Sequence, residues 1–316
     1  MTRKIILSRK GFDSGYGGFP SLVIDKQDIL TLPIPARPQD PNETEPYKYS
    51  EIQFKSSNLY EILKEVRSKN TKGTGPNKYD LRYPKHCRCP ITQNTKCHFD
   101  PDLDPASMTR TQEWRGNLGQ CDAAQGHLEN QDIRAGDLFI FFGWFQHCES
   151  DYTIKNEPSF QMIFGYLEIE HIYKTTGISS IPVWLNDHPH IKNKNLTKIA
   201  NNTIYVGSAT SSWNANIPGS GILKFSEDLI LTAQDQTPSR WKPEPFQTFN
   251  ISYHTEKSRQ PDYFQSARIG QEFVIPKCEL DCRHDIGCTA RTRPESEFAF
   301  EWATKLIDGH QTGGPT

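Results

Sequence analysis

From Cys97 to Asp104 the chain reads Cys-His-Phe-Asp-Pro-Asp-Leu-Asp, placing a thiol, an imidazole and three carboxylates in eight residues. Pro101 lies inside the stretch and Pro105 follows it. Each proline removes an amide donor and restricts the residue before it, so an ordinary helix is excluded. In an extended chain, residues two apart point the same way. This predicts that His98, Asp100, Asp102 and Asp104 share one face. One nitrogen and several oxygens on one face suit a divalent metal. The bland alternative is a solvated acidic turn whose aspartates cap nearby amides.

Charge along the chain favours the cation. Residues 86–170 carry 13 Asp+Glu against 6 Lys+Arg, a formal −7. Residues 1–85 carry 15 Lys+Arg against 10 acids, or +5, and residues 171–316 balance at 15 each. The net −2 therefore hides an acidic middle suited to a cation and a basic start suited to an anion. A pI near 6.6 argues against broad, nonspecific DNA binding.

His98-x-Asp100 has the spacing used by non-haem iron oxygenases of the two-His-one-carboxylate type. Such a site needs a distal histidine, and His127, His147, His188 and His190 are the candidates. His188-Pro189-His190 would present two imidazoles to one side of an extended chain. His98, Asp100, His188 and His190 are thus the candidate metal ligands. Asp102 would orient a ligand or act as general base, and His127 competes with His190 for the remaining position. Iron is favoured over zinc, which could instead activate water from a similar set. Arg268, Gln271 and Glu272 surround Gly270 and are candidate contacts to a phosphate or a base edge. Trp144 is a candidate stacking platform.

These residues need elements to position them. Lys4–Ser8 reads as a first strand, followed by the Gly-rich stretch Gly11–Gly18, whose amides could cradle an anion. Ser21–Ile24 and Ile29–Ile34 read as a hairpin. Pro33–Pro46 is a Pro-rich connection, and Ser57–Ser68 carries the helical stripe Leu59, Ile62, Leu63, Val66. Gly116–Gly126 is rich in small residues. Leu138–Phe145 and Phe160–Ile169 are apolar runs of strand length, the first buried on both faces. Thr203–Val206, Ile222–Phe225, Leu229–Thr232 and Glu272–Ile275 add short strands. Pro294–Leu306 closes as a helix with Phe298, Trp302 and Leu306 on one stripe. Many strands and few helices indicate an α+β fold with a strongly curved or barrel-like, mostly antiparallel sheet. Residues 1–316 read as one domain.

Apolar content is 35% and mean hydropathy −0.69, offset by 17 Phe, 12 Tyr and 6 Trp. No apolar run reaches the roughly 18 residues of a membrane span, and Ile5-Ile6-Leu7 is too short for a secretory signal. A cytoplasmic protein without membrane contact is expected. In a reducing compartment its eight cysteines point to metal or thiol chemistry. One group is Cys87, Cys89 and Cys97, flanked by His86 and His98. The other lies in a Cys-rich insert near 277–290, where Cys278, Cys282, Cys288 and His284 could hold a structural metal.

Several stretches resemble the nucleotide modification associated domain 3 family. They are Lys4-Ile-Ile-Leu-Ser-Arg-Lys-Gly-Phe-Asp-Ser-Gly-Tyr-Gly-Gly, Cys97-His-Phe-Asp-Pro-Asp-Leu and Gly136-Asp-Leu-Phe-Ile-Phe-Phe-Gly-Trp-Phe. Phe164-Gly-Tyr-Leu, His188-Pro-His190, Ile204-Tyr-Val and Gly270-Gln-Glu-Phe-Val continue the pattern. The resemblance implies modification of a nucleotide or nucleic acid and supplies neither a reaction nor a catalytic set. A second, weaker likeness is to PUA-like domains, through Gly136-Asp137 and the run Phe164–Ile169. The combined expectation is a metal-dependent oxidoreductase or hydroxylase acting on a nucleotide, a nucleobase or another small anionic or planar molecule. An exposed base in a nucleic acid also fits. The alternative is a PUA-like module that recognises a modified base without turnover.

Overall fold

The run after Gly136-Asp137 forms the spine of the sheet. In the computed structural model, which describes residues 3–37, 39–68, 90–176, 181–249, 251–252, 272–275 and 295–312, the strand Leu138–Cys148 is buried along almost its whole length. Phe139, Phe141, Phe142 and Phe145 on it have no solvent exposure. Burial on both faces is why the run is continuous rather than alternating.

The spine pairs antiparallel with Phe160–Lys174, with a bulge between Phe141 and Phe142. Its other edge is shared by two short parallel partners in succession. Ile5–Arg9 lies beside Leu138–Phe142, and Ser21–Ile24 lies beside Phe145–Cys148. Phe160–Lys174 is likewise shared by Ser220–Ile222 and then Thr203–Gly207, with a second irregularity between Ile169 and His171. Bulges bend strands and increase their twist, and the mostly antiparallel sheet curls into a half-barrel with few helices. Asn117–Gln120 closes one end beside Thr203–Gly207, and Phe273–Ile275 the other beside Ile5–Arg9.

A small sheet lies apart from the large one. Lys96–His98 runs antiparallel between Ile34–Pro35 and Tyr47–Lys48. It sits on its own apolar cluster, which includes Phe12, Phe19, Tyr49, Cys97 and Phe99. Cys97 and Phe99 point into this cluster, so period-two alternation turns His98 and Asp100 the other way.

Several expected elements are shifted. The helix expected over Ser57–Ser68 spans Leu59–Glu65, capped by the Asn58 side chain accepting from the Glu61 amide. The expected strand Leu229–Thr232 is a turn of 3₁₀ helix at Glu227–Leu229, followed by isolated bridges at Ile230 and Thr232. Ile222–Phe225 contributes only the end of the strand Ser220–Ile222 and a bridge at Leu223. The closing helix spans Glu295–Gly309. Its core face is Ala299, Ala303 and Ile307, all fully buried, while Phe298 is 51% exposed. Trp302 and Leu306 of the expected stripe flank this face and pack half-buried on the core, Trp302 with its ring centroid 5.4 Å from that of Phe246, so of the three only Phe298 is turned out. The stretch Gly116–Gly126 forms the strand Asn117–Gln120 and the start of the helix Asp122–Asn130.

Candidate metal centre

Three segments meet beside the curled sheet. His98 ends the central strand of the small sheet, and Asp100 follows on the same side. His190 lies in the short helix Pro189–Lys192. One ligand atom from each lies within 4.8 Å of the others, the only such group among the described residues. Asp100 Oδ2 is 3.6 Å from His98 Nε2 and 3.6 Å from His190 Nε2. These separations are too long for hydrogen bonds. The three atoms converge without satisfying one another.

The remote atoms of each group are fixed. His98 Nδ1 is 3.0 Å from Glu45 Oε1, a carboxylate oxygen that can only accept, so Nδ1 carries the proton. Asn202 donates from Nδ2 to the His190 carbonyl at 2.8 Å, which turns its Oδ1 to His190 Nδ1 at 2.5 Å. His190 Nδ1 is therefore a donor as well. Both imidazoles in this neutral tautomer present an Nε2 lone pair to Asp100 Oδ2. Outer-shell partners of this kind hold metal-binding histidines in register. Asp100 Oδ1 accepts the Gly119 amide at 2.8 Å, leaving Oδ2 for the centre. The donor set and its bracing fit a metal ion.

His188 differs. It is the N-cap of the short helix, and its Nδ1 accepts the His190 amide at 3.0 Å. In the neutral ring the proton must then sit on Nε2, which lies 3.9 Å from Asp100 Oδ1 and has no hydrogen-bond partner. The expected extended His188-Pro189-His190 is a helix start, and the two imidazoles play different parts.

Burial and charge oppose each other across the cluster. Burial pushes His98 down, but Glu45 and Asp100 outweigh it and hold the group up at about 10. Burial pushes His190 down to about 4 and His188 to about 3, against the pull of Asp100. Burial alone would raise Asp100. The neighbouring imidazoles of His98, His190 and His188 overcome that and keep it well below the usual carboxylate range. A centre this attractive to cations draws a proton onto His98 when no metal competes.

His98, Asp100 and His190 line a cavity of about 720 Å³, within the range of small-molecule sites. Arg9, Lys10, Tyr16, Arg37 and Glu272 line it too. Glu272 accepts from Ser8 and Gln120 and lies 3.6 Å from Lys10 Nζ.

Other expected residues stand elsewhere. Asp102 turns away from the centre: it accepts from Arg110 at 2.5 Å and from Trp114 Nε1 at 3.3 Å. Burial pushes its carboxyl up to about 6, against Arg110. Asp104 caps the 3₁₀ turn Pro105–Ser107, as in the bland reading of the segment. The shared face therefore stops at Asp100. His127 bonds the Ser252 hydroxyl at 2.8 Å, outside the cavity wall. His147 packs between Phe160 and Phe225. Trp144 lies on the spine opposite Gln161, away from the cavity lining. Three amides of the Gly-rich loop are already taken by Asp13. The Asp13 carboxylate takes the Gly15 and Tyr16 amides, and its carbonyl takes that of Gly18. Arg268, Gln271, Cys278, Cys282, Cys288 and His284 lie outside the described residues, as do His86, Cys87 and Cys89.

Four participants were not foreseen: Glu45, Gly119, Asn193 and Asn202. Glu45, in the Pro-rich connection, also accepts from Asn193 Nδ2 at 2.6 Å. Gly119 is required by space, since a Cβ there would lie 2.1 Å from the His190 ring. Only the small-residue character of 116–126 hinted at that approach.

The protein is thus a curled α+β domain with a His/Asp/His-lined cavity at the edge of its sheet. The family model for nucleotide modification associated domain 3 matches residues 4–276, and the chain belongs to that family. The matched span contains every residue of the centre, from Glu45 to Asn202. No curated protein and no solved structure matches the chain.

Proposed function

We propose that the chain is a metal-dependent enzyme that modifies a nucleotide or nucleobase, with His98 Nε2, Asp100 Oδ2 and His190 Nε2 as the metal ligands. The observation that supports this is the convergence of those three atoms, unmet by one another, on the wall of a 720 Å³ cavity. Family membership supports a nucleotide-related substrate. Two imidazoles and one carboxylate are the ligand set of non-haem iron centres, so iron is favoured over zinc. Bound iron would supply oxidative chemistry, and bound zinc an activated water.

The chain's own residues do the rest. Glu45 and Asn202 fix the two ring tautomers. The Gly119 amide holds Asp100 Oδ1 away from the centre. His188 Nε2–H lies 3.9 Å behind the same oxygen, on the side away from the cavity lining. A cytoplasmic setting agrees with free Cys97, Cys121 and Cys148. No helix among the described residues is long and apolar enough to cross a membrane.

Elemental analysis of protein purified without chelator tests the proposal. About one equivalent of iron, lost in His98→Ala with the fold retained, is the expected result. Tightly held zinc in the same place would redirect the reading to hydrolytic chemistry. No bound metal would overturn it and leave recognition without turnover.

A further inference from the structure

The segment that carries the centre has a second side. His98 and Asp100 face the metal cavity, while Phe99, Pro101 and Leu103 line another, of about 820 Å³. That volume is also within the range of small-molecule sites. The second cavity lies where the two large apolar clusters meet. Leu103 and Leu223 come from the cluster of the large sheet, and Leu59 and Phe99 from that of the small one. All four are buried, so the floor of the cavity is apolar and built into the core.

Charges are engaged in opposite ways in the two cavities. In the metal cavity the basic side chains are paired: Arg9 with Asp13 at 2.9 Å, Lys10 with Glu272 at 3.6 Å and Arg37 with Glu43 at 2.7 Å. In the second cavity it is the acids that are held. Asp28 pairs with Lys55, and Asp104 accepts the Ala106 amide at 2.8 Å. Its two cations, Arg115 and Lys224, have no carboxylate partner among the described residues. Arg115 is half-buried and donates from Nη1 to the carbonyls of Gln112 and Trp114, at 3.3 and 2.8 Å. That leaves the edge formed by Nε and Nη2, which can take a carboxylate or a phosphate through two parallel bonds. Lys224 is exposed and adds positive potential to the same wall.

An inorganic anion would use the cations and leave the floor wet. A neutral apolar molecule would cover the floor and leave the guanidinium edge unmet. A molecule with both parts satisfies both. We infer that this cavity is a second ligand site, for a small amphipathic anion: a carboxylate or phosphate on Arg115, carried by an apolar ring or chain that packs on Phe99 and Leu103. The site stands apart from the proposed metal reading, because none of His98, Asp100 and His190 lines it.

Calorimetric titration of the full chain, as purified and again after chelation, decides it. The probes are 2-naphthoate, 2-naphthyl phosphate, the neutral 2-naphthamide, and acetate. One of the two naphthyl anions should bind, one molecule per chain, with the same affinity before and after chelation. 2-Naphthamide should bind about tenfold more weakly, the scale of one charge-assisted contact, and acetate more weakly still. Arg115→Gln should bring the anion down to the level of the amide and leave the amide unchanged, and Arg115→Lys should recover part of the loss. Lys224→Glu alters only an exposed side chain and should lower anion affinity alone, most at low salt.

Tighter binding of the phosphate than of the carboxylate would assign the ligand to the phosphate class, and the reverse to the carboxylate class. Failure of both naphthyl anions to bind would overturn the inference. So would an amide or acetate that binds as tightly as the naphthyl anions, or unchanged anion affinity in both Arg115→Gln and Lys224→Glu. Loss of anion binding on chelation would move the anion to the metal centre and overturn the second site, leaving the metal reading intact.

Discussion

Asp100 and Asp102 stand two residues apart in one short segment and do opposite things. Asp100 Oδ2 faces two imidazole nitrogens at 3.6 Å and bonds neither. Asp102 is saturated: Arg110 donates at 2.5 Å, Trp114 at 3.3 Å, and the Arg110 guanidinium lies 4.5 Å over the Trp114 ring. Both carboxylates are almost wholly buried. Burial is therefore not what distinguishes a site from a brace. Buried polar groups normally find partners, so convergent groups that do not satisfy one another are waiting for something else. Met groups hold the chain together.

The comparison breaks most sharply at Asp100 itself. Asp100→Asn should reduce metal uptake below detection while the protein remains folded, as read by elemental analysis alongside thermal melting. Full metal occupancy in that variant would place the centre elsewhere. On the other side, Asp102→Ala leaves the Arg110 charge buried and unpaired. It should cost about 3–5 kcal/mol in urea unfolding, the scale for breaking one partner of a buried pair, with metal stoichiometry kept. A loss below about 1 kcal/mol would show Asp102 to be no brace.

A finer cut separates ligand from support. His188→Asn keeps an oxygen to cap the His190 amide and removes the Nε2–H behind Asp100. Metal affinity should fall by about tenfold, in the range for outer-shell partners, and not to the level of His190→Ala. Equal losses in the His188 and His190 variants would make His188 a ligand.

His147 supplies the smallest effect and a control. Its Nδ1 is buried without a hydrogen-bond partner, like His188 Nε2, but it faces Phe160 and Phe225 instead of a cluster. Burial lowers its pKa below the ordinary 6.5. The unfolded chain therefore takes up the proton first. The stability this residue contributes is present above about pH 6.5 and lost as the pH falls below it. Over the first pH unit below, wild type should lose up to about 1 kcal/mol more than His147→Leu in urea unfolding. Equal losses would show that His147 keeps access to water.

Much of this was readable in the residues because the relevant signals are local. Apolar runs announced the spine and its neighbour, since burial on both faces demands them. Two-residue spacing placed His98 and Asp100 together because a short strand ends there. The alternation did not extend to Asp102, which pairs its backbone with Asn117 and its side chain with Arg110. Glu45 and Asn202 were illegible for a different reason. Their roles come from long-range packing, and nothing in a Pro-rich connection or an Asn-Asn pair marks a partner for a distant imidazole. The strand and helix within 117–130 were missed because Gln125 and Leu128 are the only buried residues of that helix, too few to make a stripe. In the closing helix, Trp302 and Leu306 of the expected stripe do pack on the core, while Phe298 does not, because Ala299, Ala303 and Ile307 centre the buried face.

The placement of Ile5–Arg9 has a consequence for the order of assembly. This strand lies between Leu138–Phe142 on one side and Phe273–Ile275 on the other. Both neighbours lie far downstream in the chain, so neither exists until long after this strand has been synthesised. Contacts so distant along the chain are slow to close, and an unpaired apolar strand invites pairing with other chains. Arg9, Lys10 and Gly11 continue directly from it into the cavity wall. The cavity therefore forms late, and a ribosome-bound chain stopped before residue 273 would carry Ile5-Ile6-Leu7 with one edge open and exposed to pairing with other chains.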